Sequence, residues 1–234
     1  MSNLLSVVII TKNEEHFIAD AVKSALFADE VLVMDSGSSD NTSSIAAELG
    51  AKVIHQDWLG FGAQKNKAVS MTKNDWIFVL DADERITLKL KDEILSSIKS
   101  ESYTGYYVPR KNFFFGEFIK YGGFYPDLSL RLFRKDFGTF NDVKVHESVK
   151  LVGESSTLQE PMIHIAYDNY TEFVEKQKKY AALSEKKKSF FKMFLSPIWT
   201  FLKIYIFRMG CLDGWRGLVI AIVYSKYTYL KYKK

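Results

Sequence analysis

Cysteine is nearly absent from this chain of 234 residues. Cys211 stands alone, so no disulfide can form within the sequence, and a reducing cytosolic compartment is expected. The start, Met1-Ser2-Asn3-Leu4-Leu5-Ser6, has no basic segment ahead of an apolar one, and no signal peptide is read there. Internal repeats and low-complexity linkers are missing too. Nor is there an uncharged run of roughly 18 to 20 residues, because Lys203, Arg208, Arg216 and Lys226 interrupt the C-terminal apolar segments. Three common ligand loops are also lacking. No Gly-Lys-Ser/Thr ending exists, Gly60-Phe61-Gly62-Ala63-Gln64-Lys65 lacks the third glycine of a dinucleotide loop, and Asp81-Ala82-Asp83-Glu84-Arg85-Ile86 lacks the glycine of a calcium-binding loop.

What is present excludes disorder: 47% of residues are hydrophobic and 15% aromatic. A net charge of +4 conceals an asymmetry. Residues 1–99 carry ten Lys/Arg against fifteen Asp/Glu, a net of −5, whereas residues 170–234 carry fourteen against four, a net of +10. An acidic first half and a basic, aromatic tail suggest that the tail meets an anionic surface, lipid or polyanion. A solvated lysine-rich helix, or a helical subdomain packed on the sheet or a second subunit, would read similarly.

Continuous apolar runs mark Leu4–Ile10, Val31–Met34 and Trp76–Leu80 as strands covered on both faces, with Lys52–Ile54 a shorter one. Helical spacing follows at Glu14–Leu26, Asn41–Leu49 and Gly62–Met71. Four strands separated by three helices predict an α/β fold with a parallel, Rossmann-like sheet. Beyond a helix at Thr87–Lys99, short aromatic strands at Gly105–Pro109, Phe113–Phe115, Leu128–Phe133 and Met162–Ala166 predict mixed, more antiparallel structure. Asn169–Phe190 reads as a basic helix, Ser196-Pro197 as the cap and first turn of another at Ile198–Phe207, and Trp215–Tyr232 as a third. The expected division is a catalytic domain at 1–168, with halves at 1–100 and 101–168, followed by a helical, membrane-associating region at 169–234. Those helices suit the plane of a membrane interface.

The fourth strand ends in Asp81-Ala82-Asp83, two carboxylates where an open α/β sheet places its ligand. Such acids repel one another unless a hard cation bridges them to phosphate oxygens, which points to a metal and nucleotide-diphosphate site. Thr11-Lys12-Asn13-Glu14 and Asp35-Ser36-Gly37-Ser38-Ser39-Asp40 end the first two strands and would open on the same edge. Each could be a mere cap or turn. Together they suit a nucleotide, with Asp35 accepting from base or ribose and loop N–H groups meeting phosphate. Arg131 and Arg134 could face phosphate or pair with neighbouring acids. The aromatic stretch Phe113–Tyr125 could be an acceptor platform or a core hairpin.

Val7–Glu14, Val31–Thr42, Gln64-Lys65-Asn66 and Phe78–Glu84 resemble, in order and spacing, the family 2 glycosyltransferases of GT-A fold. Gly122–Asp127, Arg131–Arg134 and Val145–Val149 are similar to the bacterial subgroup that adds glucose to lipopolysaccharide inner-core heptose, so that the resemblance covers nearly the whole chain. It implies inverting transfer of a hexose, glucose from UDP-glucose, to a lipopolysaccharide-core or other lipid-linked acceptor, with Mn²⁺ or Mg²⁺. Thr11, Asn13, Glu14 and Asp35 would line the nucleoside pocket, Lys65 would lie near base or phosphates, Arg131 would join the nucleotide-sugar-binding residues facing phosphate or a phosphorylated acceptor, and Ala82 would sit within the acidic pair. Asp83 would bind the metal, with Asp81 toward ribose or a metal-bound water and His164 completing the shell. Glu147 is the candidate base, with Asp142 and Asp127 as substitutes; the acid expected before it is replaced by His146. The implied location is cytoplasmic, peripheral on the inner face of the bacterial cytoplasmic membrane, with an anionic membrane surface and no nucleic acid as partner. The rival readings are a nucleotidyltransferase and a non-catalytic sugar-nucleotide-binding protein.

Overall fold

The computed structural model describes residues 3–100, 102–141, 147–183 and 188–233. They form two compact units. The first comprises the chain to Arg110 with Leu128–Ile163, the second Lys111–Asp127 with the chain from His164 on.

In the first unit the apolar runs become strands β1 (Leu5–Thr11), β2 (Glu30–Asp35), β3 (Lys52–His55) and β4 (Trp76–Asp81), alternating with helices α1 (Ile18–Ala25), α2 (Thr42–Glu48) and α3 (Phe61–Ser70). All of β1 is buried because helices cover both faces. Leu5, Val7 and Ile9 pack in one cluster with Ile18, Ala21 and Val22 of α1, while Val8 and Ile10 pack in another with Ala68 and Val69 of α3. Each Leu, Val or Ile side chain among them contributes about 1.5–3 kcal/mol on burial, and the absence of alternation in the sequence is the direct consequence.

The remaining elements are β5 (Glu84–Arg85), α4 (Leu88–Ser97), β6 (Gly105–Phe114), β7 (Glu117–Phe118), β8 (Asp127–Arg134), β9 (Gly138–Phe140), β10 (Val149–Leu151), β11 (Ser155–Thr157) and β12 (Met162–Tyr167). The sheet runs β3-β2-β1-β4-β8-β6-β12-β5, through the portions of β6, β8 and β12 that belong to this unit. Strands β1–β4 are mutually parallel where they neighbour one another, and β8 enters antiparallel to β4. The chain leaves β1 on one side toward β2 and β3 and returns on the other as β4. That reversal puts the switch point at β1, where a crevice opens beyond the carboxyl ends. Strand β6 continues through Pro109, where the sequence predicts a break; proline removes one ladder donor, but its φ suits an extended chain.

The second unit joins the end of β6 and β7 to helices α5 (Tyr170–Leu183), α6 (Phe190–Leu202) and α7 (Gly214–Lys233). Its core holds Phe114, Ile119, Tyr167, Phe173 and Ile220. The Phe114 ring lies 5.5 Å from both Phe124 and Phe173, and Phe115 stacks on Trp215 at 5.8 Å. These rings of the aromatic stretch therefore build a core hairpin rather than an open platform. Gly217 is required here, since a Cβ would stand 1.9 Å from the Gly210 carbonyl oxygen.

Helix α6 departs from its expected start. It begins at Phe190, passes through Pro197 without breaking, and continues as a π-helical turn at Lys203–Phe207. Ser196 is not its cap. Phe190–Phe207 is, by length and composition, long and apolar enough to cross a membrane, although Lys192 and Lys203 divide it.

Candidate active site

Strand register brings three predicted positions into one row. Thr11 is the register partner of Asp35 across β1 and β2, and the preceding residue, Ile10, is the partner of Asp81 across β1 and β4. The loops after β1 and β2 then interlock. The Asn13 and Glu14 N–H groups donate to Ser38 Oγ at 2.9 Å and Thr42 Oγ1 at 2.8 Å, and Ser39 N–H donates back to Asn13 Oδ1 at 2.8 Å. Asn13 adopts a positive φ of 56°, a conformation that asparagine tolerates because its short amide can bond locally. Asp35 is buried and accepts from the N–H groups of Gly37 and Ser38, both at 2.9 Å, and from the Ser38 hydroxyl. Its carboxylate thus shapes the loop that the sequence assigns to base or ribose. Beside it, Thr11 Oγ1 is buried and has no hydrogen-bond partner among the described residues. A buried hydroxyl left unsatisfied costs about 1–3 kcal/mol, so this edge has bonding capacity in reserve for a polar ligand.

Charge dominates the end of β4. Lys65, projecting from α3, places Nζ 2.9 Å from Asp81 Oδ1 and 2.8 Å from Glu147 Oε1. Arg131, from β8, places Nη2 2.7 Å from Asp81 Oδ2 and 2.5 Å from Glu84 Oε1. Lys65, Arg131 and Glu84 are buried, while the Asp81 side chain keeps 31% exposure. Burial alone would raise the Asp81 carboxyl, but the Arg131 and Lys65 charges overcome it and hold the group well below the usual carboxylate range. Burial likewise opposes the charge on Arg131, and Asp81 and Glu84 reverse the effect, raising the guanidinium above its ordinary value.

Several members of this site escape sequence reasoning. Glu84 resembles a turn residue, yet it is fully buried; it accepts from the Asp81 N–H at 2.9 Å and from Arg131, and Arg110 stands 3.4 Å away. Arg85 donates at 2.7 Å to the carbonyls of Ala82, Glu84 and Phe17, so it ties the acidic turn to the start of α1. Burial lowers its guanidinium pKa, against the raising influence of Asp20, Asp83 and Glu14. The Gln64-Lys65-Asn66 triplet divides its labour. Gln64 donates to Ser36 Oγ at 3.0 Å and the Gln56 carbonyl at 3.1 Å, Lys65 meets the carboxylates, and Asn66 pairs with both backbone groups of Phe140 at 2.8 and 2.9 Å.

The structure brings Lys65, Asp81, Arg131 and Glu147 together, with Ala82 buried and Asp83 half-buried in the adjoining turn. His164 belongs to the second unit. Its Nδ1 lies 2.6 Å from Asn112 Oδ1, and Asn112 Nδ2 donates to the Phe124 carbonyl at 2.8 Å and to Asp127 at 3.2 Å. Those two acceptors fix the amide orientation, so the Asn112 oxygen accepts and His164 Nδ1 donates. Asp127 serves that network. Arg134 caps the Trp76 ring at 5.2 Å, a packing role. Asp142 and His146 lie outside the described residues.

Among the described residues no cluster of three His, Cys, Asp or Glu could hold a metal. A nucleotide-borne Mg²⁺ needs only one or two carboxylates besides phosphates and water, and the oxygen donors of Asp81 and Asp83 fit that requirement.

A parallel sheet with its switch point at β1, an antiparallel β8 and acids at the end of β4 define a GT-A-type α/β fold. The sequence model described as Glycosyl transferase family 2 matches residues 6–144. An uncharacterized glycosyltransferase of Rickettsia typhi is 33% identical over 251 residues, covering 98% of this chain and 86% of that protein. The lipopolysaccharide core biosynthesis glycosyltransferase LpsC of Rhizobium meliloti is 28% identical over 249 residues, covering 97% and 89%. Among solved structures, S. aureus TarS shares the fold at a TM-score of 0.52 and 18% identity, covering 76% of this chain and 39% of that one. The chain belongs to the family 2 glycosyltransferases.

Proposed function

We propose that this glycosyltransferase moves a hexose, glucose from UDP-glucose, with inversion onto a lipopolysaccharide-core or other lipid-linked glycan. The row Asp35, Thr11 and Asp81 across three adjacent strand ends carries the nucleotide-sugar reading. Similarity to LpsC across nearly the whole chain supports the class of acceptor. Residues 1–168 would supply catalysis and 169–234 a membrane-facing region, on the inner face of the cytoplasmic membrane.

Thr11, Asn13, Glu14 and Asp35 hold the nucleoside, the unsatisfied Thr11 hydroxyl accepting or donating one bond to it. Asp83, helped by Asp81, would hold Mn²⁺ or Mg²⁺, which supplies neutralising charge at the leaving diphosphate. His164 is a further candidate ligand. Lys65 and Arg131 add cationic donors beside the same acids. Glu147 takes the acceptor hydroxyl proton as that oxygen attacks the anomeric carbon. Phosphate oxygens of the donor compete for the Lys65 ammonium and so release Glu147 toward the acceptor.

A donor screen tests the reading. UDP release is measured across several UDP-sugars with a heptose-bearing acceptor, with and without Mn²⁺. Acceptor-dependent UDP release with UDP-glucose that fails on chelation is expected. Pyrophosphate release from a nucleoside triphosphate would replace the reading with nucleotidyl transfer, and binding without turnover would replace it with a non-catalytic role.

A further inference from the structure

Helix α6 reverses the normal burial of aromatic residues. Phe191, Phe194, Leu195, Ile198 and Trp199 recur at three- and four-residue spacing on one face, and exposure reaches 77% at Phe191 and 58% at Trp199. The other side packs on α7, where Thr200 meets Thr228 at 3.2 Å. The exposed face also runs into a groove lined by Ile198, Leu202 and Ile222, with Lys226 beside it. A contiguous apolar surface of this kind marks an interaction site.

Charge selects its occupant. Lys192 and Lys203 stand eleven positions apart, which at about 100° per residue puts them on the same flank of the helix, bordering the apolar face. The segment from residue 170 onward carries a net of +10, fourteen Lys/Arg against four Asp/Glu, and so matches an anionic surface. Length selects the orientation. Between the two lysines lie ten uncharged residues, Met193–Leu202, which span about 15 Å, half of a hydrocarbon core of about 30 Å. A helix crossing the bilayer would bury one lysine, whereas a helix lying flat leaves both at the headgroups and all five large side chains in the acyl boundary.

We infer that α6 lies in the plane of an anionic phospholipid bilayer, its Phe191–Trp199 face inserted and Lys192 and Lys203 on lipid phosphates. The inference deepens the membrane-facing reading above and rests on it. It explains how a lipid-anchored acceptor and a soluble donor would meet on one protein.

Vesicle flotation of the full chain, without nucleotide, tests this. The protein should float with phosphatidylcholine vesicles containing about 30% phosphatidylglycerol and stay down with pure phosphatidylcholine. The double variant Leu195→Asp/Ile198→Asp should bind at least about tenfold more weakly. Lys192→Gln/Lys203→Gln should lose about fivefold per lysine together with much of the salt dependence. Far-UV circular dichroism establishes that the variants fold; should the aspartate pair misfold, the lysine pair decides. Wild-type binding by the folded aspartate variant overturns the inference. So does retention in membranes through alkaline carbonate, which indicates a spanning helix, or a dimer in solution that the aspartates abolish without any vesicle binding. A protein that floats as expected but is inactive toward every UDP-sugar would overturn the transferase reading and leave α6 on the lipid.

Discussion

The two units break the usual burial rule in opposite directions. The first buries charge: Lys65, Arg131 and Glu84 are all enclosed. The second exposes large apolar side chains along α6. Neither arrangement is what folding alone favours, since charges are costly to desolvate and apolar area is stabilised by leaving water. Informative residues are the ones on the wrong side of the surface. In the first unit they enclose a charged crevice that suits a small polar ligand; in the second they form an open face that suits an apolar one. The comparison therefore predicts that substitutions in one region change chemistry and in the other change location.

The largest effect belongs to the acidic turn. Asp83→Ala should reduce transfer by about 10³-fold or more and weaken metal-dependent nucleotide binding, read by UDP release and by calorimetry with and without Mn²⁺. Retained turnover would remove Asp83 from the metal site and break the contrast at its centre. Glu147→Gln comes next. It should spare nucleotide binding and lower transfer by about 10²–10⁴-fold, the range of a lost general base; normal turnover would end that assignment. Lys65→Met separates the two roles of its ammonium. Without it Asp81 and Glu147 lose a shared partner, which costs about 1–3 kcal/mol, toward the low end because Asp81 is partly solvated. Thermal unfolding should show that loss and Lys65→Arg should restore part of it, along with part of the activity.

The sequence makes the first unit legible through local pattern. Unbroken apolar runs ending in Thr11, Asp35 and Asp81 state both the strands and, by the rule for open sheets, the edge they share. What local pattern cannot carry is distance along the chain. Lys65 and Glu147 are separated by 82 residues, and Arg131 reaches Glu84 across 47, so nothing near either residue announces the ion pairs. Glu84 and Arg85 were hidden for a second reason. Charged residues after a strand read as a solvated turn, and only the fold reveals that the carboxylate accepts the Asp81 amide and that the guanidinium gathers three carbonyls. In the second unit Pro197 misleads the helix boundary. Following serine it looks like a first turn, but packing of α6 on α7 carries the helix through a position that propensity alone would break. Phe114 illustrates the ambiguity of aromatic residues, for an exposed platform and a buried hairpin share one composition.

Two rings in the second unit give the finest test of the comparison, because both are aromatic and helical yet one is enclosed and the other is not. Phe173 of α5 is fully buried and touches Phe114, Phe115, Tyr167 and Tyr224 with centroids 4.5 to 6.2 Å away. Phe173→Ala leaves a cavity that these rings cannot close, and it should cost about 3–5 kcal/mol in chemical denaturation. Trp199 of α6 is more than half exposed and has the Phe207 ring at 5.6 Å. If α6 faces lipid, Trp199 contributes little to the fold in water, and Trp199→Ala should change stability by about 0.5 kcal/mol or less while weakening vesicle binding. A loss approaching that of Phe173→Ala would mean that the α6 face is covered in solution. The exposed aromatic stripe would then be core rather than contact surface, and the contrast between the two units would dissolve.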